Sequence, residues 1–139
     1  GSDENGDGSE EDPYSTIQKG IDNANDGDTI LVSTGIYTEN INFNGKNIFV
    51  SGDSFQTTII EGAELGPVVT IANGEGPQAI LKNISITGGS TLSTSDAGGI
   101  VCRNNSSPTL MNLNIYNNTG LNRFLSSCSA KFLIESTLL

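Results

Sequence analysis

The chain has 139 residues, a net charge of −10, and neither histidine nor tryptophan. An acidic chain without a basic stripe excludes binding driven by nucleic-acid phosphates. The missing histidine excludes imidazole acid–base, Ser-His and Cys-His chemistry, and no apolar run approaches the roughly 18 residues that a membrane-spanning helix needs.

Six acids (Asp3, Glu4, Asp7, Glu10, Glu11, Asp12) stand in the first twelve residues with no base among them. Residues 1–12 therefore read as an acidic, solvated linker or tail. A second reading is a calcium loop. Asp3, Asn5, Asp7, Gly8 and Glu11 follow a D-x-N-x-D-G-x-x-E spacing, in which alternate oxygen side chains wrap a hard cation. Tyr14 stands where an EF-hand loop carries its bidentate Glu.

Ile17, Ile21 and Ala24 fall at i, i+4, i+7 and predict a short amphipathic helix over 15–25. Ser15 and Gln18 have capping-box spacing, and Asp26-Gly27 supplies the stop. A helix this short is not stable alone. Its apolar face must cover something, such as the open end of a parallel coil.

Short β-rich runs follow: Thr29–Ser33, Ile41–Phe43, Asn47–Ser51 and Thr57–Glu61, separated by turn residues Gly35, Asn44-Gly45, Gly52-Asp53 and Gly62. They recur too quickly for strand–helix–strand units. Ile30/Val32, Ile48/Val50, Ile84/Ile86 and Leu113/Ile115 each place an apolar pair at i, i+2. The last three pairs each follow an Asn (Asn47, Asn83, Asn112) and read as internal repeats, with ladders of Asn expected at the corners. Val68–Ile71, Ala79–Leu81 and Ile100–Cys102 supply further strands, and Gly88–Gly99 a longer loop. The fold class is all-β: a coil of about 3–5 rungs over 13–120, with the helix at 15–25 as its cap.

Leu121, Phe124, Leu125, Cys128 and Phe132 form a helical stripe. Residues 121–139 accordingly read as a C-terminal helical cap or association segment, with a strand at Lys131–Ile134 as the alternative. A short coil exposes its ends, so homo-oligomers through them are expected.

Paired carboxylates can cleave glycosidic bonds. Glu61, Glu64 and Glu75 are the one acidic cluster within the coil, and Glu61, on a strand, is the first candidate. Cys102 and Cys128 suit free, buried thiols, with a disulfide as the alternative. Asn83, Asn104, Asn105 and Asn117 open glycosylation sequons. The Gly-, Asn-, Ser- and Thr-rich composition suits an extracellular or cell-surface protein.

The S-T-I-Q helix, the G-D-T-I-L-V strand, the G-I-Y-T-E-N turn and the K-N-I-F-V-S-G and T-T-I-I-E-G strands lie within residues 15–62. Together they resemble the opening of right-handed parallel β-helix proteins of the pectin lyase-like superfamily, pectin methylesterases in particular. Residues 98–102 (Gly-Gly-Ile-Val-Cys) and 107–115 (Ser-Pro-Thr-Leu-Met-Asn-Leu-Asn-Ile) are similar to repeats of secreted bacterial surface proteins. The resemblance implies a right-handed coil. It carries over no catalytic residue, because the central stretch offers Asp96 and Arg103 without an acid pair. Two functions are expected. One is a non-catalytic secreted or cell-surface module, structural or binding a polysaccharide or surface glycan. The other is a polysaccharide-active lyase, esterase or hydrolase, or a piece of one.

Overall fold

A computed structural model describes residues 1–63, 65–92 and 96–120, together with the backbone of 125–126 and 131–133. Among the described residues, one helix, α1 (Ile17–Asn23), precedes thirteen short strands. The first circuit holds β1 (Thr29–Val32), β2 (Gly35–Thr38) and β3 (Ile41–Asn42), and the second β4 (Phe49–Gly52), β5 (Thr58–Glu61) and β6 (Val69–Ile71). The third holds β7 (Ile80–Lys82), β8 (Ser85–Thr87) and β9 (Ile100–Cys102), and the fourth β10 (Thr109–Met111), β11 (Asn114–Ile115) and β12 (Leu125–Ser126), before β13 (Lys131–Leu133).

Each circuit contributes one strand to each of three sheets: β1-β4-β7-β10-β13, β2-β5-β8-β11 and β3-β6-β9-β12. Every pairing within them is parallel. This all-β arrangement is compatible with a short parallel β-helix.

The period-2 alternation decides which side chains face inward. Register then stacks like on like. Ile30, Val50, Leu81 and Leu110 form one inward column. Tyr37, Ile60, Ile86 and Ile115 form a second, and Ile41, Val69 and Ile100 a third. Nearly all these side chains are buried in one continuous core, each contributing about 1.5–3 kcal/mol of transfer free energy. Neighbouring residues of β1 and β2 point out, and Leu31 and Ile36 remain 81% and 66% exposed.

The corners need left-handed backbone, which Asn adopts at little cost. Asn83 (φ 59°) and Asn112 (φ 48°) turn the corner after β7 and β10. The Asn112 amide donates to Asn83 Oδ1 at 3.2 Å, one step of the expected ladder. Asn47 does not share it. It precedes β4 in the first sheet, whereas Asn83 and Asn112 precede β8 and β11 in the second.

Other expectations are also corrected. Gly35–Thr38, read as a turn, is the strand β2, because Ile36 and Tyr37 register with Ile59 and Ile60 one circuit on. Residues 125–126 and 131–133 are strands rather than helix, because they pair with β9 and β10. The rest of the 121–139 stripe lies outside the described residues. Within the Gly88–Gly99 excursion, Ser90 forms an antiparallel bridge with Gly66 of the circuit before. Val101 faces outward yet is buried, and it is not part of the main core cluster.

α1 packs on β1 and β3 at the first end of the coil, with Ile17 and Ile21 buried. It starts at Thr16 rather than Ser15. The Thr16 hydroxyl accepts from the Lys19 amide at 3.2 Å. Gln18 does not complete a capping box. Its side chain instead accepts from the Asn42 amide at 2.8 Å and donates to the Asn42 carbonyl and to Asp22.

Candidate functional site

Most of the coil's carboxylates can be followed individually. The first amides of a helix lack intrahelical partners, and here two distant acids supply them. Asp3 Oδ1 accepts from the amides of Ser15 (2.8 Å) and Thr16 (3.0 Å), and Oδ2 from the Thr16 hydroxyl (2.7 Å). These bonds, that of the Thr16 hydroxyl foremost, hold the Asp3 carboxyl at about 2, well below the usual carboxylate range. Glu39 Oε1 and Oε2 accept from the amides of Ile17 (2.8 Å) and Gln18 (3.0 Å). Together with Thr16, these two acids give every amide from Ser15 to Lys19 an acceptor.

Glu39→Ala is therefore expected to cost about 1–2 kcal/mol, the scale of a lost N-cap. Denaturant titration and faster exchange of the Ile17 and Gln18 amides would report it. An alanine at exposed Glu61 is expected to stay within about 0.5 kcal/mol.

Within the Gly35–Glu39 segment, Tyr37 and Glu39 serve the local structure. The Tyr37 hydroxyl donates to the Ser33 carbonyl at 2.9 Å, and its ring packs on the core. Glu39 caps α1. Partial burial, and then the nearby Asp53 and Glu39 charges, push the Tyr37 hydroxyl above its ordinary value.

Glu75 is fully buried at the corner between the third and first sheets. Oε1 accepts from the Gly45 amide (2.9 Å). Oε2 accepts from the Asn73 amide (2.8 Å) and the Ser106 hydroxyl (2.7 Å). Ser106 in turn accepts from the Gly74 amide at 3.1 Å. These donors lie on three successive circuits. Burial pushes the Glu75 carboxyl up, but the Ser106 hydroxyl and the backbone amides outweigh it and leave the group below its ordinary value.

Of the three candidate acids, the structure places Glu61 and Glu75 in different surroundings. Glu75 is turned into its corner. Glu61 is exposed at the end of β5, in register with Thr38 and Thr87. Glu64 lies outside the described residues. Asp96 pairs with Arg103.

The calcium candidates do not converge either. Both Asp3 oxygens are engaged as above, and Asp7 Oδ1 accepts from the Ser9 amide at 2.9 Å. Among the described residues, no group of three or more His, Cys, Asp or Glu could hold a metal ion. Asn5 and Glu11 are exposed. Residues 2–13 instead fold back on themselves, with the Ser2 amide donating to the Pro13 carbonyl and Asp7 and Gly8 to the Asp12 carbonyl.

Cys102 is buried, but it is disulfide-bonded rather than the expected free thiol. Cys128 lies outside the described residues.

The first sheet has an outer face of mostly half-buried side chains, Thr109 among them buried. Its outward columns are Thr29, Phe49, Ile80, Thr109 and Leu31, Ser51, Lys82, Met111. Phe49, Ile80, Lys82 and Met111 are half-buried there. Sequence reasoning did not single out this face. The signal was present in the residues between the inward apolar pairs. A separate surface depression at the first end is lined by Thr16, Gln18, Thr38, Glu39, Asn40 and Ala63.

No protein-family model matches the chain, and no curated protein matches it significantly. No helix among the described residues is long and apolar enough to cross a membrane.

Proposed function

We propose that the chain is a non-catalytic module of the right-handed parallel β-helix kind, similar in its opening to pectin lyase-like proteins. It works at the cell surface or outside the cell and binds a polysaccharide or surface glycan on the outer face of its first sheet. The observation that carries this reading is the use to which the carboxylates are put. Asp3 and Glu39 cap a helix and Glu75 ties three circuits, so these three acids serve the winding of the chain. The outer face of the first sheet, meanwhile, combines an aromatic ring with hydroxyls and a lysine. Phe49 offers a ring face for sugar C–H groups, and Ser51, Thr29 and Lys82 offer hydrogen bonds to hydroxyls.

The test is a screen of pectin, alginate and other glycans for both binding and turnover. Binding without turnover is expected, weakened about tenfold by Phe49→Ala, a loss of about 1.4 kcal/mol. Turnover abolished by Glu61→Gln overturns the reading in favour of a polysaccharide-active enzyme.

A further inference from the structure

We propose that the outer edge of β2 accepts an extended basic peptide of a partner protein as an additional strand. This surface is separate from the glycan face, and the proposal does not depend on that reading.

Among the described residues β2 ends its sheet, paired with β5 alone. In a parallel ladder, successive amides point alternately to the two sides. The Gly35 amide donates to the Thr57 carbonyl at 2.9 Å and the Glu39 amide to the Glu61 carbonyl at 3.0 Å. Those of Ile36 and Thr38 therefore face away from the coil. The other two strands of the first circuit are covered, because α1 packs on β1 and β3. The hydrogen bonds of residues 2–13 run within that segment, while Asp3 reaches only Ser15 and Thr16.

Natural sheets blunt a free edge with lysine, proline, a bulge or a cover. β2 reads Gly-Ile-Tyr-Thr and has no charge and no proline, and its Ile36 side chain is 66% exposed. Such an edge recognises an extended backbone, with main-chain hydrogen bonds giving affinity and alternate side chains giving selectivity. Charge selects the partner. Asp53 holds the amide and hydroxyl of Thr34 at one end of β2, and Glu39 stands at the other. The depression beside Thr38 and Glu39 gives room for a cationic side chain at that end. A peptide alternating apolar and basic residues fits this edge, and an acidic one is repelled.

The probe is a fluorescein-labelled peptide of alternating lysine and valine, with an alternating glutamate–valine peptide beside it, followed by fluorescence anisotropy. Saturable binding of the lysine peptide alone is expected, weakening as salt is raised. Proline is tolerated on an edge strand where its missing N–H would face solvent. Ile36→Pro is therefore expected to fold and to bind at least tenfold more weakly. A lysine–valine peptide N-methylated at alternate amides leaves the protein untouched, and it is expected not to bind. Equal binding of the methylated peptide, full binding by a folded Ile36→Pro, or no binding of the lysine peptide each overturns the proposal. So does a concentration-dependent dimer abolished by Ile36→Pro, which would assign the edge to a second copy of the chain.

Discussion

Glu75→Ala is expected to lower the unfolding free energy by about 3 kcal/mol or more, read as a fall in the urea midpoint at unchanged slope. The substitution leaves the part-buried amides of Gly45 and Asn73 and the buried hydroxyl of Ser106 without their acceptor. Each buried, unsatisfied polar group costs about 1–3 kcal/mol. Glu75→Gln keeps the shape but turns an NH₂ toward a donor, so it is expected to fall between alanine and the native residue.

The pH dependence follows from the direction of the Glu75 shift. Its folded value lies below the unfolded one. The stabilisation is therefore fully present above the unfolded value, near 4.3 for glutamate. It is lost as pH falls through the folded value. Asp3, held at about 2, acts in the same direction at the surface. Stability of the native chain should fall on acidification below about pH 4.3, and the Glu75→Gln profile should be flatter there. Parallel profiles would show that the Glu75 carboxylate is not the group that responds.

Gly52→Ala is expected to cost about 3 kcal/mol, at the upper end for overpacking a core. A methyl group at Gly52 would stand 2.4 Å from the Asn83 carbonyl oxygen and 2.9 Å from Ile84 Cγ1, with Thr58 Cβ at 3.0 Å. The nearest of these is backbone of the next circuit, so no side chain can swing away to relieve it. Gly27 is the opposite case. It has open space around its Cβ position but φ +89°. There an alanine pays for conformation alone, about 1–2 kcal/mol. Thermal unfolding of the two variants side by side separates close approach from backbone preference.

The parts of the fold that depend on nearest neighbours in sequence were legible. Ile48/Val50 and Ile84/Ile86 alternate visibly, and both pairs are buried. Features set by the circuit before or after were not legible. The apolar spacing at 121–132 fits a helix as well as it fits strands, and for the described residues 125–126 and 131–133 only register with β9 and β10 decides between them. Ser15 has a good cap sequence, yet Asp3 takes the amides of both Ser15 and Thr16. Glu75 stands between Gly74 and Gly76 and was a candidate by type. Its partners Gly45 and Ser106 are 30 and 31 residues away in the chain, beyond any local pattern. The candidate acids were identified by type alone, and type does not say whether a carboxylate meets substrate or backbone amides.

The parallel pairing within the three sheets also bears on how fast the chain can fold. No ladder bond can form until a whole circuit has been threaded, as when Ile30 meets Val50. Loop-closure entropy is therefore spent before any strand is rewarded, which places such a topology among millisecond-to-second folders rather than microsecond ones. The Glu39–α1 cap closes early in sequence and can seed the first circuit. Later circuits then add to a template one at a time, in the manner of a one-dimensional array. Glu75 joins three circuits, so it reports when the third has locked. A Glu75 variant should accelerate unfolding more than it slows folding, because its contacts are completed late.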